Sequence, residues 1–255
     1  METLDEVGLG TMGIADSETI VLAIERGYRH LDTAQIYDNE SVVGEGIARA
    51  DCDRKSLFVS TKVWIDQLEY EAVIQSTHES LDRLGLEYID MLYVHRPRDT
   101  YDPSETFAAF EELVNRGIVN HIGVSNFEVP QLQRARKQLD APLFANQVEY
   151  HPLFQPDGTL ADAQENDYYL VAYSPLANGR ASEIPEVVDV AQNHAVTPEA
   201  VCIAWLTDKD NVIVIPKASS KAHLRANRNA TTLKLNSTEK SQIDGIERET
   251  EFFPE

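Results

Sequence analysis

HLDTAQIYDNE, residues 30–40, decides the reading of this chain. A short strand over 28–31 ends there at an acid, Asp32. A brief loop then carries Tyr37, and Asp38 or Asn39 stands where a helix over about 40–50 needs its N-cap. An acid and a phenol therefore share the mouth of one strand-to-helix connection. In a barrel of alternating strands and helices, that mouth lies on the face where chemistry is done.

Upstream, VGLGTMG at 7–13 matches G-x-G-x-x-G at Gly8, Gly10 and Gly13, and Asp32 follows near the distance of a ribose-binding acid. That fingerprint needs a full buried strand before it, and only Leu4 and Val7 are available. The stretch reads better as a short strand over 7–10 with a glycine-rich exit loop.

Downstream, the chain alternates. Ser17 caps a helix over 17–26. LFVSTKVW starts a strand at 57 that ends at Lys62, and a helix over 71–84 follows. YIDMLYVH (88–95) is a strand ending at His95, and Ser104 caps a helix that Gly117 stops. Strands over 118–126, 142–150, 168–175 and 211–219 alternate with helices over 130–139, 157–165, 185–194, 198–208, 220–228 and 238–248. Thr197 caps the second helix after strand seven, with Pro198 at its first position. The middle strands are near-continuous apolar runs, as buried parallel strands should be. Eight βα units predict a closed (β/α)8 TIM barrel, an α/β fold forming one domain over 1–255.

Composition narrows the partners. The chain has 255 residues and a net charge of −21, which disfavours nucleic acid and anionic membrane. Its basic residues are 14 Arg and 8 Lys, an acid-rich, lysine-poor balance that resembles cytoplasmic proteins of high-salt organisms. No apolar run reaches the roughly 18 residues of a membrane span, and METLDEVG lacks the basic and apolar regions of an export signal. A cytoplasmic protein is expected. Cys52 and Cys202 stand at no metal-like spacing and read as reduced thiols.

The polar residues closing the strands form a set. They are Asp32 with Tyr37, Lys62, His95, Ser125 with Asn126, Gln147, Tyr173 with Ser174, and Lys217 with Ser219. A phenol of pKa about 10 is a poor acid at neutral pH, and a nearby ammonium lowers that value. Lys62 is such an ammonium, Asp32 keeps it charged and placed, and Tyr37 becomes a general acid. His95 orients a carbonyl oxygen on which charge develops. A hydride for the carbonyl carbon must come from a cofactor. No H-x-H pair or carboxylate cluster points to a metal.

These motifs resemble the aldo-keto reductase family, in its prokaryotic type similar to 2,5-diketo-gluconate reductases. The matching stretches run in family order from GLGTM (8–12) and GYRHLDTAQIYDNE (27–40) through STKVW (60–64), YVHRP (93–97) and GVSNF (123–127). NQVEYHP (146–152), AYSPLA (172–177) and IPKAS (215–219) complete the series. The resemblance implies a catalytic tetrad of Asp32, Tyr37, Lys62 and His95 and NADPH-dependent reduction of aldehydes or ketones by a monomer. It implies that Gly10, Thr11 and Met12 lie along the cofactor's ribose, that Asp32 is also a cofactor contact, and that Ser125, Asn126 and Gln147 bind its carboxamide. Tyr173 would stack under the nicotinamide, Ser174 and Leu176 hold the pyrophosphate, Lys217 and Ser219 meet the 2′-phosphate, and Asn227 lie near the adenine.

Three departures qualify this. His223 replaces the arginine usual six residues after the IPK lysine, which leaves NADH possible beside NADPH. Arg96 replaces a common tryptophan after His95, while Trp64 remains as an aromatic wall of the substrate pocket; if Arg96 faces that pocket it favours a carboxylate-bearing or polyhydroxy substrate, such as a keto-sugar acid, and if it points outward it pairs with a surface acid. The C-terminus stops at FFPE, without the long segment that lines the pocket in relatives, so loose specificity is expected. The competing function is a nicotinamide-binding accessory or structural module with little turnover.

Overall fold

The computed structural model describes residues 4–156 and 158–254. Its strands are β1 Leu9–Gly10, β2 His30–Asp32, β3 Phe58–Val63, β4 Ile89–Val94, β5 Val119–Ser125, β6 Leu143–Glu149, β7 Tyr169–Tyr173 and β8 Val212–Val214. They form one parallel sheet in sequence order. Val7 closes it by bridging in parallel to Val214, with Gly8 N donating to Val214 O at 2.8 Å. The helices are α1 Ser17–Glu25, α2 Glu40–Arg49, α3 Tyr70–Leu84, α4 Pro103–Asn115, α5 Val129–Gln138, α6 Thr159–Glu165, α7 Pro185–His194, α8 Pro198–Thr207, α9 Lys221–Asn229 and α10 Ser237–Asp244. The expected TIM barrel is the observed fold, with strands shorter than the sequence reading at both ends of the sheet. Of the helix expected over 157–165, position 157 lies outside the described residues.

Alternation along the strands sorts the core into two layers. Val59, Val63, Leu92, Val94 and Val124 point out and join the large cluster under the helices. Phe58, Met91, Tyr93, Val171 and Ile213 belong to a smaller second cluster, which fills the barrel interior. The same parity carries Ser60 and Lys62 inward on β3 and brings Tyr93 and His95 inward on β4. A side chain at the last inward position of each strand thus emerges on the C-terminal rim.

Three helix starts differ from the sequence reading. Asp16, not Ser17, caps α1 by accepting from Glu18 N, and the Ser17 hydroxyl instead accepts from Arg49 at 2.7 Å. Asp102, not Ser104, caps α4, because Pro103 takes the first helical position. Asn39 occupies the N-cap position of α2 but makes no capping bond. Its amide instead donates to Thr11 O (2.8 Å) and Ile14 O (3.0 Å) and accepts from the Thr33 hydroxyl (3.1 Å). This buried side chain ties the glycine-rich loop after β1 to the loop after β2.

Replacing Asn39 with Ala leaves those buried groups without partners, each lost bond costing roughly 1 kcal/mol and each orphaned group more. Asn39→Ala is expected to lower stability by about 2–4 kcal/mol, read as a lower urea midpoint at unchanged slope.

Candidate active site

Asp32 and Lys62 form the centre of the rim. Both are buried, at 1% and 0% exposure, and Lys62 Nζ donates to Asp32 Oδ1 at 2.5 Å. Lys62 also donates to Thr33 O at 2.8 Å. The second carboxylate oxygen accepts from Ser60 Oγ and from Gln147 Nε2, each at 2.8 Å. These three further partners of the pair, Thr33 O, Ser60 Oγ and Gln147 Nε2, come from β3, β6 or the loop directly after β2.

Tyr37 ends a 3-10 turn, Gln35–Tyr37, and Asp38 follows in the left-handed region (φ 53°) to turn the chain into α2. Gln35 pins this turn. Its amide donates to Ser76 O and Ser80 Oγ on α3 (both 3.2 Å) and accepts from Trp64 N at 3.0 Å. The Lys62 ammonium lies 5.0 Å from the Tyr37 ring centre. His95 stands edge-on to Tyr37 and Trp64, with ring centres 5.9 and 4.9 Å away. Phenol, ammonium and imidazole thus meet within one constellation.

Burial sets the charge states. It pushes the Tyr37 phenol up, and Lys62, which pulls the other way, does not overcome it. This corrects the sequence argument, in which the ammonium alone sets the direction: Tyr37 holds its proton firmly at neutral pH. Burial also works against the Lys62 ammonium, but Asp32 and the phenol outweigh it and the net shift is upward. Burial, then the cations of Lys62 and Arg96, hold His95 well below the usual histidine range, so its imidazole is neutral. Its Nδ1 is buried with no hydrogen-bond partner among the described residues.

These groups open into a cavity of about 700 Å³. Gly10, Thr11 and Met12 line it on the β1 side, and Ser125, Asn126, Gln147, Tyr173, Ser174 and Leu176 on the other. Asn126 adopts φ 60°. That backbone turn lets its amide reach His95 O (3.2 Å) and Ser125 Oγ (3.1 Å) while accepting from the Tyr173 hydroxyl (3.1 Å). Lys217 lines the far end, 3.4 Å from Gly13 O, where Gly13 turns with φ 70°. Trp64 and Arg96 line the near end. Lys62 lies beneath the lining. Ser219 and Asn227 stand outside it: Ser219 is exposed just before the α9 cap Ser220, and Asn227 is buried on α9 beside Tyr28. Among the described residues, no three His, Cys, Asp or Glu side chains cluster as metal ligands.

Sequence reasoning missed Phe253, which lines the same cavity and packs edge-on against Tyr173 at 5.8 Å. It also missed Ile36, half-exposed at the mouth. Ile36 sits inside the opening motif, where an exposed large apolar residue is a readable signal. Phe253 carries no such signal, since only the folded chain brings residue 253 back over the rim.

Eight parallel strands closed into a barrel, with a buried Lys–Asp pair and a cavity at the C-terminal rim, have the architecture of a barrel enzyme. The family model described as "Aldo/keto reductase family" matches residues 6–248, and the chain belongs to that family. It is similar to methylglyoxal reductase DkgB of Escherichia coli O157:H7, 34% identical over 246 residues that cover 94% of this chain and 92% of the relative. A crystal structure of a putative 2,5-diketo-D-gluconic acid reductase B superposes with TM-score 0.90 at 34% identity, covering 94% of this chain and 86% of that one. An aldo-keto reductase from a Medee basin deep-sea metagenome library superposes with TM-score 0.94 at 31% identity, covering 100% and 95%.

Ring-proton shifts of His95 are expected to show no titration between about pH 6 and 8, where free imidazole takes up its proton. The unfolded chain binds that proton near pH 6.5 and the folded one does not. The contribution of His95 therefore favours folding above that range and is lost as pH falls below it. Lys62→Met removes one of the cations that hold the imidazole neutral and should raise its pKa.

Proposed function

We propose that this protein is an NADPH-dependent carbonyl reductase that converts small aldehydes or ketones to alcohols. The observation that carries the reading is the buried Lys62–Asp32 pair facing the Tyr37 phenol, with neutral His95 beside it. A bound nicotinamide would supply the hydride to the carbonyl carbon. Tyr37 delivers its proton to the carbonyl oxygen as negative charge develops there. Lys62 stabilises the phenolate left behind, and Asp32 holds Lys62 charged and in place. Neutral His95 donates a ring N–H to the same oxygen and orients it. Because burial keeps the Tyr37 proton in place before reaction, the acid is loaded at neutral pH; the Lys62 charge matters most once the proton has left.

The cavity suits an extended dinucleotide. Amide and hydroxyl groups of Ser125, Asn126 and Gln147 meet near the Tyr173 ring, the chemistry of a carboxamide site. Gly10, Thr11, Met12 and the rim acid Asp32 border the adjoining ribose position. Ser174 and Leu176 stand where a pyrophosphate would cross. Lys217, with Ser219 and the N-terminus of α9 close behind, offers positive charge at the 2′-phosphate end. Asn227 would reach the adenine only if the segment before α9 rearranges, because it is buried against Tyr28. His223 and Arg225 are both exposed on α9. With His223 in place of an arginine, NADH use beside NADPH is part of this reading.

Trp64, His95 and Arg96 form the substrate end. Arg96 lines that end, and its guanidinium also meets Phe253 O and Pro254 O at 3.4 Å. Its place at that end, with long contacts to neutral carbonyls, leaves a carboxylate-bearing substrate beside small neutral carbonyl compounds in this reading. A cytoplasmic monomer adapted to high salt completes the proposal; no helix among the described residues is long and apolar enough to span a membrane.

NADPH oxidation with propanal or methylglyoxal, followed at 340 nm in low and multimolar KCl, tests this directly. Tyr37→Phe is expected to reduce kcat by about 10² or more, the scale of a lost general acid. Wild type that binds NADPH by fluorescence yet reduces nothing in either salt would favour the accessory-module alternative.

A further inference from the structure

Residues 252–254 return to the rim, where their rings pack on His151 and Tyr173 and their backbone is hydrogen-bonded from both sides. Glu149, the last residue of β6 and 2% exposed, accepts from Phe252 N at 2.8 Å and Phe253 N at 3.0 Å. Arg96, just beyond β4, faces the carbonyls of Phe253 and Pro254 from the other side. Glu149 also meets His151 Nε2 at 2.9 Å. Leu153 N donates to His151 Nδ1 at 3.2 Å, so Nδ1 is the acceptor and Nε2 carries the hydrogen toward Glu149. A buried carboxylate thus has three neutral donors, two of them tail amides.

Such a carboxylate is costly to bury unless its hydrogen bonds are made. Undocking the tail would strip it of two, so the docked state is strongly favoured. The clamp fixes backbone at consecutive residues and leaves the Phe253 side chain against Tyr173 in the cavity. With its N–H held by Glu149 and its C=O beside Arg96, the backbone of residue 253 is fixed, and its ring is packed against Tyr173 at the cavity wall.

Resting on the carbonyl-reductase reading above, we infer that Glu149 is a specificity-positioning residue: through the tail backbone it fixes Phe253 as a wall that restricts the site to small, unbranched carbonyl compounds. Neither Glu149 nor the tail backbone touches the reacting atoms in this account. This inference runs opposite to the loose specificity expected from the sequence.

The test compares propanal with cyclohexanecarboxaldehyde for wild type, Glu149→Gln, Phe253→Ala and the double variant. Glutamine keeps one acceptor oxygen and turns an NH2 donor toward a donor amide. Either single change should raise kcat/KM for the bulky aldehyde relative to propanal by about fivefold or more. The double variant should go no further than Phe253→Ala, because Glu149 acts through that ring. Amide exchange at 252 and 253 should accelerate at least tenfold in Glu149→Gln. Arg96 itself borders the pocket, so Arg96→Met is read by amide exchange rather than by the aldehyde ratio: exchange at 253 should accelerate there too, which covers the case of a Glu149 variant that fails to fold. Unchanged ratios, additive effects in the double variant, or retained amide protection would each overturn the inference. Wild type that reduces neither aldehyde would instead remove the reductase reading and with it the substrate restriction, while exchange at 252 and 253 would still decide whether Glu149 seats the tail.

Discussion

The Lys62–Asp32 ion pair is the constraint around which the barrel is arranged. Two charges with almost no exposure are stable inside a protein only if their mutual attraction is joined by further hydrogen bonds. Those bonds come from Thr33 O, Ser60 and Gln147, positions brought to one height by the strand register. Asp32 pairs with Ser60 across β2 and β3, and Ser125 pairs with Gln147 across β5 and β6. A slip of one residue in either pairing would turn the inward set outward and leave a buried charge without partners. The site and the sheet register are therefore one requirement rather than two.

Below the pair, polar character continues into the interior. Ser60 lies 3.4 Å from His30 Nε2, and burial, opposed in part by Asp32, takes the His30 pKa down to about 4. Since Ser60 donates to Asp32, the neutral His30 ring donates to Ser60, and the hydrogen bonds run in one direction toward the carboxylate. Each donor in that chain points toward the Asp32 carboxylate, and that carboxylate, with the Tyr37 phenol, raises the Lys62 pKa against its burial. The apolar rings beneath, Phe58, Phe144 and Tyr169 with His121 among them, seal this column from the opposite end of the barrel.

Much of this was legible in the sequence because barrel geometry converts local pattern into position. Strand parity makes the residue at the end of an apolar run a rim residue, so Asp32, Lys62, His95 and Tyr173 could be grouped before any contact was known. Local competition was harder to read. Asp16 and Asp102 outcompete the serines that follow them as caps because they stand one and two residues earlier, and at α4 the intervening proline fixes the first helical position. Asn39 had the composition of a cap and the work of a bridge, a choice made by loops 25 and 28 residues away in sequence. The direction of the Tyr37 pKa is hard to read from sequence for a related reason. An ion pair is visible in a motif, whereas the desolvation that opposes it depends on everything packed around the ring. Phe253 and Glu149 met only through the closed barrel.

The net charge of −21 poses a last physical problem, since the cavity presents its own positive groups, Arg96 and Lys217, with Lys62 beneath. An anion approaching the rim is repelled by the whole surface and attracted by these few cations. The two effects differ in range. Repulsion from dispersed surface charge is cut off at the screening length, about 10 Å at 0.1 M salt and about 3 Å at 1 M. Contact between an anion and a lysine at hydrogen-bond distance lies within either length, and partly enclosed pairs are screened less. Rising salt therefore removes the long-range penalty faster than the short-range attraction. On this chain, unlike one with an electropositive surface, added salt helps an anionic ligand reach its site until direct competition by the salt's own anions takes over.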